Sequence, residues 1–190
     1  GTQMIAKGLD FSNVTFVGVL MADLSLMVPD FRASERTFQL LCQVAGRSGR
    51  GDKQGTVMIQ TFNPEHYAIK AAVKQDYEAF FKEEMLFRKK AKYPPFCHLV
   101  SVIVQSRTPK NVHLTALDIS KCLKEHLEKV RIIGPQPAFK MQDIYRERIL
   151  IKYIESKPIY EQLSLIDDYY NRTRKGGVIV ACDFNPYSTY

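Results

Sequence analysis

The chain has 190 residues, 45% apolar and 11% aromatic, and its 27 Lys and Arg against 20 Asp and Glu give a formal net charge of +7. That is enough apolar material for one large domain or two small ones. No apolar run approaches the ~20 residues that cross a bilayer, and no secretory leader is visible. The basic balance suits a polyanionic partner, nucleic acid first, or else a solubilising surface. Cys42, Cys97, Cys122 and Cys182 are scattered with no Cys-x-x-Cys pair, and the four histidines show no ligand spacing. Buried thiols are therefore expected, and no metal site.

The opening "GTQMIAKGLDF" lacks an initiating Met and reads like the middle of a domain, so the chain is expected to be a piece of a longer protein. "VTFVGVL" (14–20) has the β-branched, apolar pattern of a buried strand. After a connection broken by Pro29, Ser34 is placed to cap a helix running to about Gly46. "GRSGRGDKQG" ends it, and "GTVMIQTF" (55–62) is a second strand. Strand–helix–strand is half of an α/β layer.

From Pro64 the pattern turns helical. "DYEAFFKEEMLFRKKAKY" carries Tyr77, Phe80, Phe81, Met85 and Phe87 or Arg88 at helical spacing. Arg88, Lys89, Lys90 and Lys92 form a basic cluster where cations complement the helix dipole. "YPPF" (93–96) marks a junction. The remainder alternates: a strand over 97–106, a helix over about 109–129, strands over about 137–143 and 147–154, a helix capped by Ser156, and a strand over 176–184. The first of these helices carries the stripe Val112, Ala116, Ile119, Leu123, Leu127 and Val130, and the second Ile159, Leu163, Ile166 and Tyr170. This β-α-β-β-α-β order predicts a ferredoxin-like α+β domain. The expected divisions are 1–62, a helical connector over 63–96, and 97–190.

The segment "QVAGRSGRG" (43–51) places Arg47 and Arg50 three apart among small residues. Arginine keeps its proton at working pH, and its planar fork matches phosphate oxygens. Glycine lets backbone and ligand approach closely. Two such groups can reach a triphosphate from one side and stabilise transferring charge. A basic helix end followed by a turn would read the same way.

Two segments in order narrow this. Thr2, Gln3, Lys7, Gly8, Leu9, Asp10 and Phe11 resemble motif V of superfamily 2 helicases, and Gln43, Gly46, Arg47, Gly49 and Arg50 resemble motif VI. With "DFRASERTFQLLCQVAGRSGRG", "GTVMIQTFNPEH" and "YPPF", the chain looks like the primosomal protein N′ family of replication-restart DNA helicases. The resemblance implies a partial RecA-like second helicase lobe ahead of the α+β domain, within a 3′→5′ DNA helicase driven by ATP and Mg²⁺. It implies Arg50 as arginine finger and Arg47 as a second phosphate contact. Gln43 would place the nucleotide or its attacking water, Asp10 would couple nucleotide state to DNA, and Thr2 and Gln3 would touch the DNA backbone. Turn and cap duties remain open for Asp10 and Thr2.

The chain has no Gly-x-x-x-x-Gly-Lys-Ser/Thr loop, and the family's zinc module would lie upstream, so no zinc is expected here and no ATPase from residues 1–190 alone. The two short strands, without flanking neighbours, are expected to pair with another chain or to be partly irregular. Family likeness also implies a cytoplasmic, nucleoid-associated bacterial protein with no membrane contact. Its partners would be forked and single-stranded DNA, the single-stranded-DNA-binding protein and other primosome proteins. In the second domain Lys140, Arg146, Arg148 and Lys152 are candidate nucleic-acid contacts, the last three on one strand face. A solvated basic face is the alternative. Tyr145 and Tyr153 are equally suited to base stacking and to packing. Lys157, beside a helix start, is a candidate dock for an acidic protein tail. A DNA- or protein-binding module without catalysis is the competing reading of the whole chain.

Overall fold

The computed structural model describes residues 15–46, 55–173 and 177–189. The chain divides into two units, Gly1–Lys90 and Ala91–Tyr190.

In the first unit, β1 (Phe16–Val19) leads through a short α1 (Asp23–Leu26) into α2 (Ala33–Ala45), and the chain returns as β2 (Thr56–Ile59). The two strands pair in parallel, Phe16 opposite Thr56 and Val19 opposite Ile59. Helix α2 buries Ala33, Thr37, Phe38 and Leu41 along one stripe. Ser34 does not cap it, because the helix already starts at Ala33 with Arg32 in the cap position. The buried Asp30 closes the turn earlier: its carboxylate accepts the Arg32 N–H at 2.8 Å and its carbonyl accepts that of Ala33 at 3.0 Å.

Two further helices, α3 (Tyr67–Lys74) and α4 (Tyr77–Ala91), belong to the same core. Ala68, Ile69, Ala72 and Phe80 pack with Phe38 and Leu41, and the rings of Phe38 and Phe80 stack at 4.3 Å. The segment expected as a separate connector is thus packed into the first unit up to residue 90. The stripe expected on α4 also changes. Its buried residues are Phe80, Glu84 and Arg88, whereas Tyr77, Phe81 and Phe87 are exposed. Glu84 and Arg88 satisfy each other, which allows a polar stripe to face inward.

Helix α3 begins with an uncommon cap: His66 Nδ1 accepts the Ala68 N–H at 3.2 Å. Burial holds the His66 imidazole below its ordinary value of 6.5, against the opposing pull of Glu84 and Asp23. Because the unfolded chain takes up this proton at higher pH than the folded one, stability rises with pH across that interval. The contribution is complete above about pH 6.5 and is lost as pH falls below it. Thermal melts at pH 7.5 and 5.5 should show this loss. In His66→Asn, which keeps a capping acceptor, the difference should shrink, and an equal difference in both proteins would refute the assignment.

The second unit runs β3 (His98–Ser106), α5 (Pro109–His126), β4 (Arg131–Met141), β5 (Ile144–Tyr153), α6 (Ser156–Asp167), a π-helical turn (Asp168–Arg172) and β6 (Ile179–Phe184). The β-α-β-β-α-β succession is as the sequence predicts. The sheet order is β4-β5-β3-β6 with antiparallel neighbours throughout. Its core is the alternate residues Val100, Val102, Val104, Ile149, Ile151 and Tyr153, closed by Val112, Ala116, Ile119 and Leu123 of α5 and Ile159, Leu163 and Ile166 of α6.

Three boundaries differ from expectation. Strand β4 starts at Arg131 rather than near 137, because "IGPQP" continues the strand through a bulge between Ile133 and Gln136. Gly134 has φ +102°, and a Cβ there would meet the Arg148 carbonyl oxygen at 2.6 Å, so only glycine fits. The prolines are tolerated because β4 is an edge strand. Helix α5 ends at His126, where Leu127 turns extended while still reaching the core. Ser156 is the first residue of α6 and makes no capping bond; Glu155 holds the cap position.

At the other edge, the π-helical turn places Asn171 against β6. Its Nδ2 donates to the Val180 carbonyl at 2.7 Å and its Oδ1 accepts the Val180 N–H at 2.9 Å. One carboxamide thereby stands in for a neighbouring strand at that point of the sheet edge.

Candidate functional site

Strand alternation decides what the sheet displays. The face turned from α5 and α6 carries paired rows: Leu99 with Lys152, Ser101 with Leu150, Ile103 with Arg148, and Gln105 with Arg146. The two ends of this face are unlike. At one end, residues 91–97 fold onto the sheet, and Leu99, Ser101, Leu150 and Lys152 are all buried. The Lys152 Nζ donates to the Ala91 carbonyl at 3.0 Å and lies 3.1 Å from the centre of the Tyr93 ring. Burial, with Arg131 opposite, brings its amine down to about 8. Lys152 therefore shares the predicted face but is only 5% exposed, so its charge is spent inside the unit.

The other end is open. Arg146 and Arg148 are half-buried, with the Arg148 Nε itself buried, Gln136 of β4 lies opposite Arg148, and Ile179 of β6 is exposed. The Arg146 Nε donates to Gln105 Oε1 at 3.1 Å, which holds that guanidinium across the sheet. Tyr145 is one residue out of step with Arg146. Lys140, at the β4–β5 hairpin, lies 4.7 Å from the centre of the Tyr145 ring and pairs with Asp143 at 2.9 Å. The fold therefore brings Arg146 and Arg148 together and leaves Lys140 at the hairpin tip. Tyr153 is a core residue, 3% exposed, and cannot stack on a base. Lys157 is exposed on the first turn of α6, 3.9 Å from Glu161 and two residues after Glu155 at the cap position.

In the first unit Gln43 is exposed near the end of α2, whose cap is Gly46. Thr2, Gln3, Asp10, Arg47 and Arg50 lie outside the described residues. Among the described residues no three His, Cys, Asp or Glu side chains gather to hold a metal, and no helix is long and apolar enough to cross a membrane. Cys97 is buried, while Cys42, Cys122 and Cys182 are half-buried thiols.

Sequence reasoning missed two buried charge clusters. Asp23, 6% exposed, accepts Thr61 Oγ1 at 2.8 Å and the N–H groups of Phe62 at 2.8 Å and Asn63 at 3.2 Å. The Phe62 N–H in particular holds its carboxyl below the usual range. Arg88 joins Glu84 and Glu35 at 2.6 and 2.7 Å. The i,i+4 spacing of Glu84 and Arg88, in line with Phe80, was the available signal. The partner on α2 had none.

Residues 89–187 match the family described as Primosomal protein N C-terminal domain. The chain belongs to that family. It is also similar to curated proteins named Replication restart protein PriA. That of Bacillus subtilis is 44% identical over 98% of this chain and 24% of its own length. That of Chlamydia pneumoniae is 43% identical over 86% of this chain and 22% of its own length, and that of Borreliella burgdorferi 35% identical over 99% and 29%. The chain thus spans about a quarter of the curated relatives it matches.

Proposed function

We propose that the chain is the closing part of an ATP-driven 3′→5′ DNA helicase that restarts abandoned replication forks and assists primosome assembly in the bacterial cytoplasm. The first unit is part of a RecA-like second lobe, and the second is a ferredoxin-like accessory domain. One observation supports this most: a 13-residue helix crosses between two parallel strands and ends at Gly46, immediately before Arg47 and Arg50 in sequence. Arg50 and Arg47 are suited to the terminal phosphate and Gln43 to its attacking water. The sequence carries no Gly-x-x-x-x-Gly-Lys-Ser/Thr loop, and among the described residues no side chains gather to hold a metal ion. ATP and Mg²⁺ are therefore assigned to the other lobe, which supplies the charge these residues neutralise. The test is DNA-stimulated ATP turnover of the full-length protein with Arg50→Ala, where turnover equal to the parent rejects the motor.

The second unit supplies a nucleic-acid face at the open end of its sheet, through Arg146 and Arg148, with Lys140 at the rim. Thr2 and Gln3 follow the DNA backbone on the first unit, and Asp10 links them to the nucleotide. Lys157 is the proposed dock for an acidic tail of the single-stranded-DNA-binding protein. For single strands, log affinity falls with log salt by about 0.7 per phosphate neutralised. Arg146→Ala with Arg148→Ala should lower that slope by about 1.4 and weaken binding several-fold at low salt. Lys152→Met should leave the slope unchanged, since that amine is held inside the unit. Identical slopes for the double variant and the parent would remove the sheet face from the DNA path.

A further inference from the structure

The motor reading leaves one buried cluster of the first unit without a role. Glu84 is 2% exposed and Arg88 8%. The Arg88 Nε donates to Glu84 Oε1 at 2.6 Å, and its Nη2 donates to Glu35 Oε2 at 2.7 Å. The Tyr67 hydroxyl donates to Glu84 Oε2 at 2.6 Å, and the guanidinium lies 5.1 Å from the centre of the Phe31 ring. One carboxylate–guanidinium–carboxylate chain therefore joins α2, α3 and α4. Burial and the Glu84 bond push the Tyr67 hydroxyl well up, so it remains a donor at working pH.

Stability does not account for this arrangement. Burying ions is costly, and apolar residues of similar volume often serve stability as well or better. Apolar contact is non-directional, whereas a planar guanidinium bonded on two edges admits one mutual placement of the helices that carry its partners. The helix so placed is α2. Gln43 lies eight residues beyond Glu35 on it, about 12 Å along a continuous helix, so a shift at one end is carried to the other.

We propose that Arg88 is a positioning residue for ATP hydrolysis. Through Glu35 it sets the seat of α2, and so the place of Gln43. This rests on the motor reading above. Misplacement of catalytic groups by about 1 Å can lower turnover on the order of 10²-fold.

The test uses the full-length protein with Glu84→Gln and Arg88→Met combined, which removes the guanidinium without stranding a buried carboxylate and keeps an acceptor for Tyr67. The expected result is at least about a tenfold fall in kcat, a KM for ATP within about threefold, unchanged affinity for single-stranded DNA and a Tm close to the parent. Arg88→Lys, which keeps the charge but not the fork, should fall between. A folded double variant with kcat within about twofold of the parent overturns the proposal. So does a loss no larger than its loss of folded protein. If the double variant does not fold, Glu35→Ala decides: it removes the acceptor on α2 while Arg88 stays paired with Glu84, its side chain is partly solvated, and an unchanged kcat again overturns the proposal. Arg50→Ala in the same assay separates the two readings. If it keeps parental turnover, the motor reading has failed. If it loses turnover while the Arg88 variants do not, only the positioning role has.

Discussion

On the motor reading proposed above, Arg50→Ala in the full-length protein should lower DNA-stimulated ATP turnover by about 10³-fold or more, while single-stranded DNA affinity stays within about twofold. The size follows from what an arginine finger does. In phosphoryl transfer the protein performs little covalent chemistry, so catalysis rests on positioning and on neutralising charge spread over the transferring oxygens. On that reading, alanine removes a permanent charge and a bidentate donor at the point where that charge develops. Ground-state contacts to DNA are untouched, so the loss should fall on kcat. Arg47→Ala, assigned a ground-state phosphate contact as well, should raise KM for ATP in addition to lowering kcat. Steady-state ATPase assays with saturating oligonucleotide, beside an anisotropy titration, measure both. Turnover by Arg50→Ala at the parental rate would end the assignment.

Leu123→Ala destabilises the second unit by about 3–4 kcal/mol. Leu123 is fully buried on α5 and packs in the core that also holds Ile119, Ile151 and Leu163. Truncation removes its transfer free energy and leaves a cavity that a sheet on one side and helices around it cannot collapse to fill. The first unit has its own core around Phe38 and Phe80. Urea denaturation followed by far-UV circular dichroism and tyrosine fluorescence should therefore show one transition moving to lower denaturant. A shift below about 1 kcal/mol would mean that the helix packs less tightly than its burial indicates. Leu117→Ala, on the 43%-exposed flank of the same helix, is the control and should cost little.

Much of the second unit is legible in the residues alone, and the reason is periodicity. Val112, Ala116, Ile119 and Leu123 repeat at helical spacing, and the apolar residues of "HLVSVIV" and "ERILIKYI" occupy strands whose alternate residues point to opposite faces. A pattern that repeats against one solvent boundary reports its own element and its own inward face. The arginine–glycine string was legible for another reason: its residue types are chemically unusual together, whatever surrounds them.

What only the tertiary structure decided concerns groups whose partners are remote in sequence. Arg88 reads as the start of a basic surface run until Glu35, 53 residues earlier, meets it and draws it inside. Lys152 reads as one more cation on a strand face until the Ala91 carbonyl and the Tyr93 ring cover it, while Arg146, six residues away on the same strand, stays at the open end. "IGPQP" reads as a break until the edge position and the close Arg148 carbonyl turn it into a bulged strand. Local sequence carries the free-energy preferences of a residue for helix, strand and burial. Whether a charge is solvated depends on what the chain lays over it, and that is settled by long-range packing, where an ion pair can reverse the preference of a single side chain.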